Sequence, residues 1–214
     1  MNRVELGGMI RTYTFSAAGG HAVNEDAFVL HSDAGGWLVA LADGQGGRAG
    51  GARAAQLACQ VAIERAAGSA SPTWTTILTA ADGVVAADAT AGFTTLIGLH
   101  VRADRVAGAS CGDSAAVAVC GELAPKVLTS RQFKNPLVGS GDATFVPFEM
   151  KLAVPWKLLA VTDGVWKYAG WDRVWDSLAR LSGEELIAEL QTAARLQSTG
   201  EFQDDFTAVL LESE

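Results

Sequence analysis

Leu38-Val39-Ala40-Leu41-Ala42-Asp43-Gly44-Gln45-Gly46-Gly47 places five consecutive apolar residues ahead of a carboxylate and three glycines in four positions. An apolar run of this length, closed by turn residues, predicts a buried strand. Asp43 then stands at the tip of a rigid element, held by the core behind it. The glycines after it let backbone, ion or ligand approach with no Cβ in the way. Asp-Gly is also a common turn dipeptide, so one such junction says little. It gains force because Trp156–Thr162 repeats it, an apolar run ending on Asp163-Gly164.

Working outward, residues 10–15 predict a first strand, and Ala27–Leu30 with Trp37–Ala42 a hairpin about Gly35-Gly36. From 51 to 67, Ala54, Leu57, Ala58, Val61 and Ala62 recur at helical spacing. A second helix follows Pro72, with Trp74, Ile77, Leu78, Ala81 and Val85 on one face. Thr94–Val101, Arg105–Ser110 and Ala115–Val119 are short, β-favouring and separated by turns, the pattern of an antiparallel meander. Residues 130–153, with two prolines and two glycines, predict an irregular loop holding one strand at Phe145–Phe148. After the strand Trp156–Thr162 come helices at about 171–181 and 184–197, the second with Ser182 as N-cap ahead of Glu184 and Glu185. Phe206–Leu211 closes the chain as a strand. The order predicts an α+β layered fold, an antiparallel sheet pair with helices packed outside, in a single domain spanning 1–214.

The chain is 49% hydrophobic, 19% charged and carries a formal net charge of −8. No apolar run approaches the ~20 residues of a membrane span, and Met1–Leu6 lacks the apolar segment of a secretory signal. Cys59, Cys111 and Cys120 have no CxxC spacing, so neither a disulfide framework nor a zinc site is indicated, and a cytoplasmic location is expected. The acidic balance excludes a nucleic-acid surface. An acidic protein that handles phosphate needs cations for the electrostatic work.

Five acidic sites share one grammar: Glu25-Asp26 before a strand, Asp43 after one, Asp113 between two, Asp163 after one, and Asp204-Asp205 before the last. Carboxylates at strand ends can converge on one sheet edge. Converging without Lys or Arg, they repel and call for a cation. With no His or Cys among them, all-oxygen ligation favours Mg²⁺ or Mn²⁺ over zinc. A pair of such ions about 3.5–4 Å apart generates hydroxide near neutral pH and clamps a phosphoryl oxygen.

Taken in order, Asn24-Glu25-Asp26, Asp43-Gly44-Gln45-Gly46-Gly47, Phe93-Thr94-Thr95, Cys111-Gly112-Asp113-Ser114, Val161-Thr162-Asp163-Gly164-Val165-Trp166 and Asp204-Asp205-Phe206-Thr207 resemble the motifs of the metal-dependent protein phosphatases of the protein phosphatase 2C type. The resemblance covers nearly the whole chain. It implies two stacked antiparallel β-sheets flanked by antiparallel helix pairs, and hydrolysis of phosphoserine or phosphothreonine in proteins. It makes Asp43 the bridging ligand of two metals, with Asp163 and Asp204 on the first. The Gly44 carbonyl serves the second, with Glu25 or Asp26 reaching it directly or through water. Asp113 helps hold a third, weaker metal alongside Asp163. Attack on phosphorus is then by a metal-bridging hydroxide, with no phosphoenzyme. The implied partner is a phosphorylated protein, the enzyme opposing a Ser/Thr kinase as a monomer.

The chain departs from the family pattern in several places. His21 stands where an Arg usually grips substrate phosphate, and Arg48, just past the glycines, can supply the missing positive charge. Gln45 replaces a His that some members use as general acid. Ala115 stands where Arg often follows Gly-Asp-Ser, and Asp205 where Asn is usual. The flap segment has only about 130–151 to occupy, so a reduced or disordered flap is expected. The six tryptophans lie at core-like spacings that predict no stacking platform, and Trp166 reads as a packing residue. Two other classes of function fit the same residues: a weakly active or inactive binding protein on this fold, and a hydrolase for small phosphoesters.

Overall fold

The computed structural model describes residues 10–20, 22–33, 36–46, 49–69 and 71–213. Strand β1 (Arg11–Ala17) is followed by the hairpin β2 (Asp26–Asp33) and β3 (Gly36–Asp43), then by helices α1 (Gly51–Ala66) and α2 (Trp74–Ala87). Next come β4 (Leu96–Arg102), β5 (Arg105–Cys111), β6 (Ala115–Cys120), the two-residue β7 (Lys126–Val127), β8 (Val146–Lys151) and β9 (Trp156–Val161). Helices α3 (Asp163–Ala169), α4 (Trp171–Arg180) and α5 (Gly183–Ala194) precede the last strand, β10 (Phe206–Ser213). The strands form two five-stranded antiparallel sheets, ordered β1-β10-β9-β6-β7 and β2-β3-β4-β5-β8. The expected α+β sandwich is the fold.

Alternation along the strands explains why the apolar runs are continuous. In β3, Leu38, Ala40 and Ala42 face α1 and α2, while Val39 and Leu41 face the other sheet. In β9, Leu158 and Ala160 join the core between the sheets, and Leu159 and Val161 the core under α3–α5. β10 divides likewise, Val209 and Leu211 against Ala208 and Leu210. Each central strand is buried on both faces, so period-2 polarity is lost while the period-2 geometry remains. Small residues along α1 (Ala54, Ala55, Ala58, Cys59, Ala62, Ala66) form its buried face.

Two expectations are corrected. Asp163 does not end a strand: β9 stops at Val161, and Asp163 is the first residue of a seven-residue helix that the sequence did not reveal. Helices α1–α2 cover one face, and the short α3 joins α4 and α5 on the other. The strand expected at Phe145–Phe148 is a six-residue edge strand shifted to Val146–Lys151. Among the described residues no helix is long and apolar enough to cross a membrane.

The segment between β7 and β8 has little regular structure but is tied down. Asp82 of α2, 1% exposed, accepts N–H groups from Gly139 (2.6 Å), Gly141 (3.2 Å) and Ala143 (3.0 Å). Thr94 and Val138 exchange two backbone hydrogen bonds of 3.0 Å. Asp82→Ala is expected to cost about 2–4 kcal/mol, because three backbone N–H groups lose their shared, buried and charged acceptor. Asp82→Asn, which keeps Oδ1 for two of them, is expected to cost less. Thermal denaturation of the two variants checks the order.

Candidate active site

The strand ends converge on a cleft of about 360 Å³ whose walls include Glu25, Asp43, Gly44, Asp113, Asp163, Asp204 and Asp205. Asp43 is fixed through its backbone. Its N–H donates to Thr95 Oγ1 (2.9 Å), and its carbonyl accepts from Thr95 N–H (2.9 Å) and Thr94 Oγ1 (2.8 Å). Thr95 Oγ1 in turn shares a 2.8 Å hydrogen bond with Ser114 Oγ. The Thr-Thr and Gly-Asp-Ser motifs thus work as a scaffold under Asp43.

Asp163 enters from the first turn of α3, and Gly164 behind it packs directly on the Asp205 backbone. A Cβ at Gly164 would lie 2.0 Å from the Asp205 carbonyl oxygen. Gly44 is equally confined: a Cβ there would sit 2.5 Å from Gly51 backbone and 2.7 Å from the Glu25 carbonyl oxygen. The Glu25 carboxylate lies over Gly46 and the start of α1 at Gly51. Asp205 ties the loop before β2 in place, its two oxygens accepting N–H from Gly19 (2.9 Å) and Glu25 (2.5 Å).

Asp26 is set one layer back. It is 8% exposed, pairs in register with Asp43, and accepts a hydrogen bond from Thr162 Oγ1 at 2.8 Å. Its other oxygen, Oδ1, is buried with no hydrogen-bond partner among the described residues. His21 and Arg48, the residues expected at substrate phosphate, lie outside the described residues.

Two cations were not anticipated. Lys134 Nζ is 2.7 Å from Asp113 Oδ2, and Lys167 Nζ is hydrogen-bonded to Asp163 Oδ2; both line the cleft. Lys167 stands one helical turn after Asp163, a spacing that becomes visible once a helix is known to begin there. Burial alone would lower the Lys167 pKa, yet the hydrogen bond and charge of Asp163, with Asp113 and Asp204 near, hold it above the usual range.

The carboxylates strain against this arrangement. Burial first, then the charges of Asp26, Asp163, Asp113 and Asp204, push Asp43 up to about 9. Burial pushes Asp26 up to about 7, against hydrogen bonds from Thr207 and Thr162. Asp204 is raised by burial and by Asp163. No three His, Cys, Asp or Glu side chains among the described residues form a closed metal cage as they stand. The donor set is nonetheless all oxygen, its negative charge exceeds what two lysines balance, and the orphaned Asp26 Oδ1 has an acceptor to spare. These features fit hard divalent ions shared at Asp43.

The tryptophans also differ from expectation. Trp166, Trp171 and Trp175 form a continuous stack, with centroids 5.6 and 4.7 Å apart and planes tilted by 16° and 21°. Trp166 Nε1–H donates to the Asp113 carbonyl at 3.1 Å, so the stack begins at the cleft wall.

Comparison with known proteins accords with this geometry. No curated protein is recognisably similar to the chain in sequence. Among solved structures, the serine/threonine phosphatase Stp1 from Staphylococcus aureus superposes with a TM-score of 0.79 at 18% identity, covering 100% of this chain and 99% of its own. A bacterial serine phosphatase gives 0.80 at 18% identity over 96% and 98%. The catalytic domain of the serine/threonine protein phosphatase PstP, in complex with two manganese ions, gives 0.73 at 18% over 95% and 97%. At these identities the likeness carries the fold. Residues 16–197 match the family model of protein phosphatase 2C, and the chain therefore belongs to the protein phosphatase 2C family.

Proposed function

We propose that the chain is a Mn²⁺- or Mg²⁺-dependent phosphatase that hydrolyses phosphoserine and phosphothreonine in proteins, acting as a cytoplasmic monomer that opposes a Ser/Thr kinase. The observation that carries this reading is the convergence of Asp43, Asp163 and Asp204 with the Gly44 backbone in one cleft. Asp43 would be shared by two ions, with Asp163 and Asp204 on one and the Gly44 carbonyl and Glu25 on the other. When bound, the ions supply an activated water and neutralise the phosphoryl oxygens. The chain supplies position: Thr94, Thr95 and Ser114 lock Asp43, and Asp205 locks the Glu25 loop. Direct hydrolysis needs no nucleophilic side chain. Cys111, the thiol beside Gly112-Asp113, is buried and donates to the Pro136 carbonyl at 3.2 Å.

The test is hydrolysis of p-nitrophenyl phosphate and of a phosphothreonine peptide, with Mn²⁺, Mg²⁺ or EDTA, by wild type and Asp163→Asn. The expected result is metal-dependent turnover of both substrates that the substitution removes. Turnover of the small ester alone would favour a small-molecule hydrolase. No turnover with any metal would overturn the enzymatic reading.

A further inference from the structure

We infer that Lys134 and Lys167 together fill the place of a third divalent ion, so that this chain assembles a two-ion centre closed on its open side by two ammonium groups. The inference rests on the metal-dependent reaction proposed above. A third ion in this cleft would draw on Asp113 and Asp163. Each of these carboxylates already holds a cation of the chain: Lys134 Nζ lies 2.7 Å from Asp113 Oδ2, and Lys167 Nζ is hydrogen-bonded to Asp163 Oδ2.

Both lysines are placed by backbone and ring contacts. The Gly112 N–H donates to the Phe133 carbonyl at 2.8 Å, which brings Lys134, the next residue, beside the turn that carries Asp113. The Cys111 thiol donates to the Pro136 carbonyl at 3.2 Å and fixes the other side of the same segment. On α3, the indole of Trp166 donates to the Asp113 carbonyl at 3.1 Å, holding the helix that carries Lys167 against that same turn. Asp113 and Asp163 are thus met from two unrelated segments by two positive charges, both anchored to the Gly112-Asp113 turn.

A divalent ion entering between Asp113 and Asp163 would meet these ammonium groups at contact distance, where like charges repel strongly even near the surface. It would also find one oxygen of each carboxylate already engaged, when a hard cation seeks about six oxygen ligands. The other two positions are less obstructed: Lys167 engages only Oδ2 of Asp163, which leaves its second oxygen to the first ion, and among the described residues no lysine or arginine forms an ion pair with Asp43, Asp204 or Glu25.

The test counts ions rather than turnover. Wild type and the double variant Lys134→Gln/Lys167→Gln are equilibrated with Mn²⁺, the bound metal is measured by elemental analysis, and its positions are read from anomalous scattering in crystals. Wild type is expected to hold two ions. The double variant is expected to gain a third, between Asp113 and Asp163, bound about tenfold or more tightly than wild type can hold it. Each single variant should be intermediate. A third ion on Asp113 in wild type, or a double variant that stays at two, overturns the inference. Absence of any ion from wild type overturns the proposed reaction, and this inference with it. The wild-type count stands whatever the variants do, and both lysine side chains are solvent-exposed enough for the substitutions to spare the fold.

Discussion

Asp43→Asn is expected to lower metal-dependent turnover by about a thousandfold or more while the protein stays folded. The two halves of this expectation have separate causes. Asp43 is held by backbone hydrogen bonds to Thr94 and Thr95, none of which uses the carboxylate. An amide of the same shape keeps the scaffold and loses only the charge that would be shared between two ions. In the metal-free protein the substitution should even help. Burial and neighbouring carboxylates raise Asp43 to about 9 from an ordinary 3.8, so the folded state binds a proton that the unfolded state releases. Folding stability contributed by this group is then fullest below about 4 and declines as pH rises toward 9. Metal-free wild type should lose stability across that window, and Asp43→Asn should lose less. With Mn²⁺ the order inverts: at a hundredfold excess over Kd a bound ion adds about 2.7 kcal/mol to wild type, which the variant forgoes. Thermal denaturation against pH, with Mn²⁺ and with EDTA, reads both effects. Unfolding of Asp43→Asn at all pH values would assign Asp43 a structural role instead.

The second large effect is expected at Asp205, where the sequence departs from the family's usual Asn. Its two oxygens accept N–H groups from Gly19 and Glu25, and the residue is 7% exposed. Asp205→Ala leaves the buried Gly19 N–H and the half-buried Glu25 N–H without this acceptor, at about 1–3 kcal/mol each. For a domain of this size that lowers Tm by roughly 5–15 °C. The loss should reach the chemistry, because the freed segment carries Glu25. Mn²⁺ affinity should therefore fall with stability, although Asp205 is not among the proposed ligands. Asp205→Asn turns one acceptor into a donor facing an N–H and should also destabilise, by less. A stable Asp205→Asn with unchanged Mn²⁺ binding would show that one oxygen suffices.

What the sequence made legible follows from its physics. Runs such as 38–42 and 156–161 announce strands whether one face or both are buried, and the carboxylates at their ends are marked by the glycines that follow. Six short motifs in order carry the family. Helix α3 was hidden because it is seven residues long, begins on a site aspartate and has glycine second, too brief for any helical period to show. Hidden with it was the Asp163–Lys167 spacing. Lys134 could not be seen at all, since its partner is fixed by the path of an irregular segment and not by any local pattern. The Trp171–Trp175 step is an i, i+4 spacing on α4 and was readable. The step from Trp166 was not, because it crosses the break at Gly170 between two helices.

Strand β10 pairs with β1 along its length, Arg11 opposite Glu212 and Ala17 opposite Phe206, and it also lies against β9. β10 is therefore the second strand of its sheet, and the Asp204-Asp205 turn just before it completes the cleft begun by Glu25. Removing residues 204–213 would therefore take two carboxylates out of the cleft and leave β1 without a strand partner among the described residues.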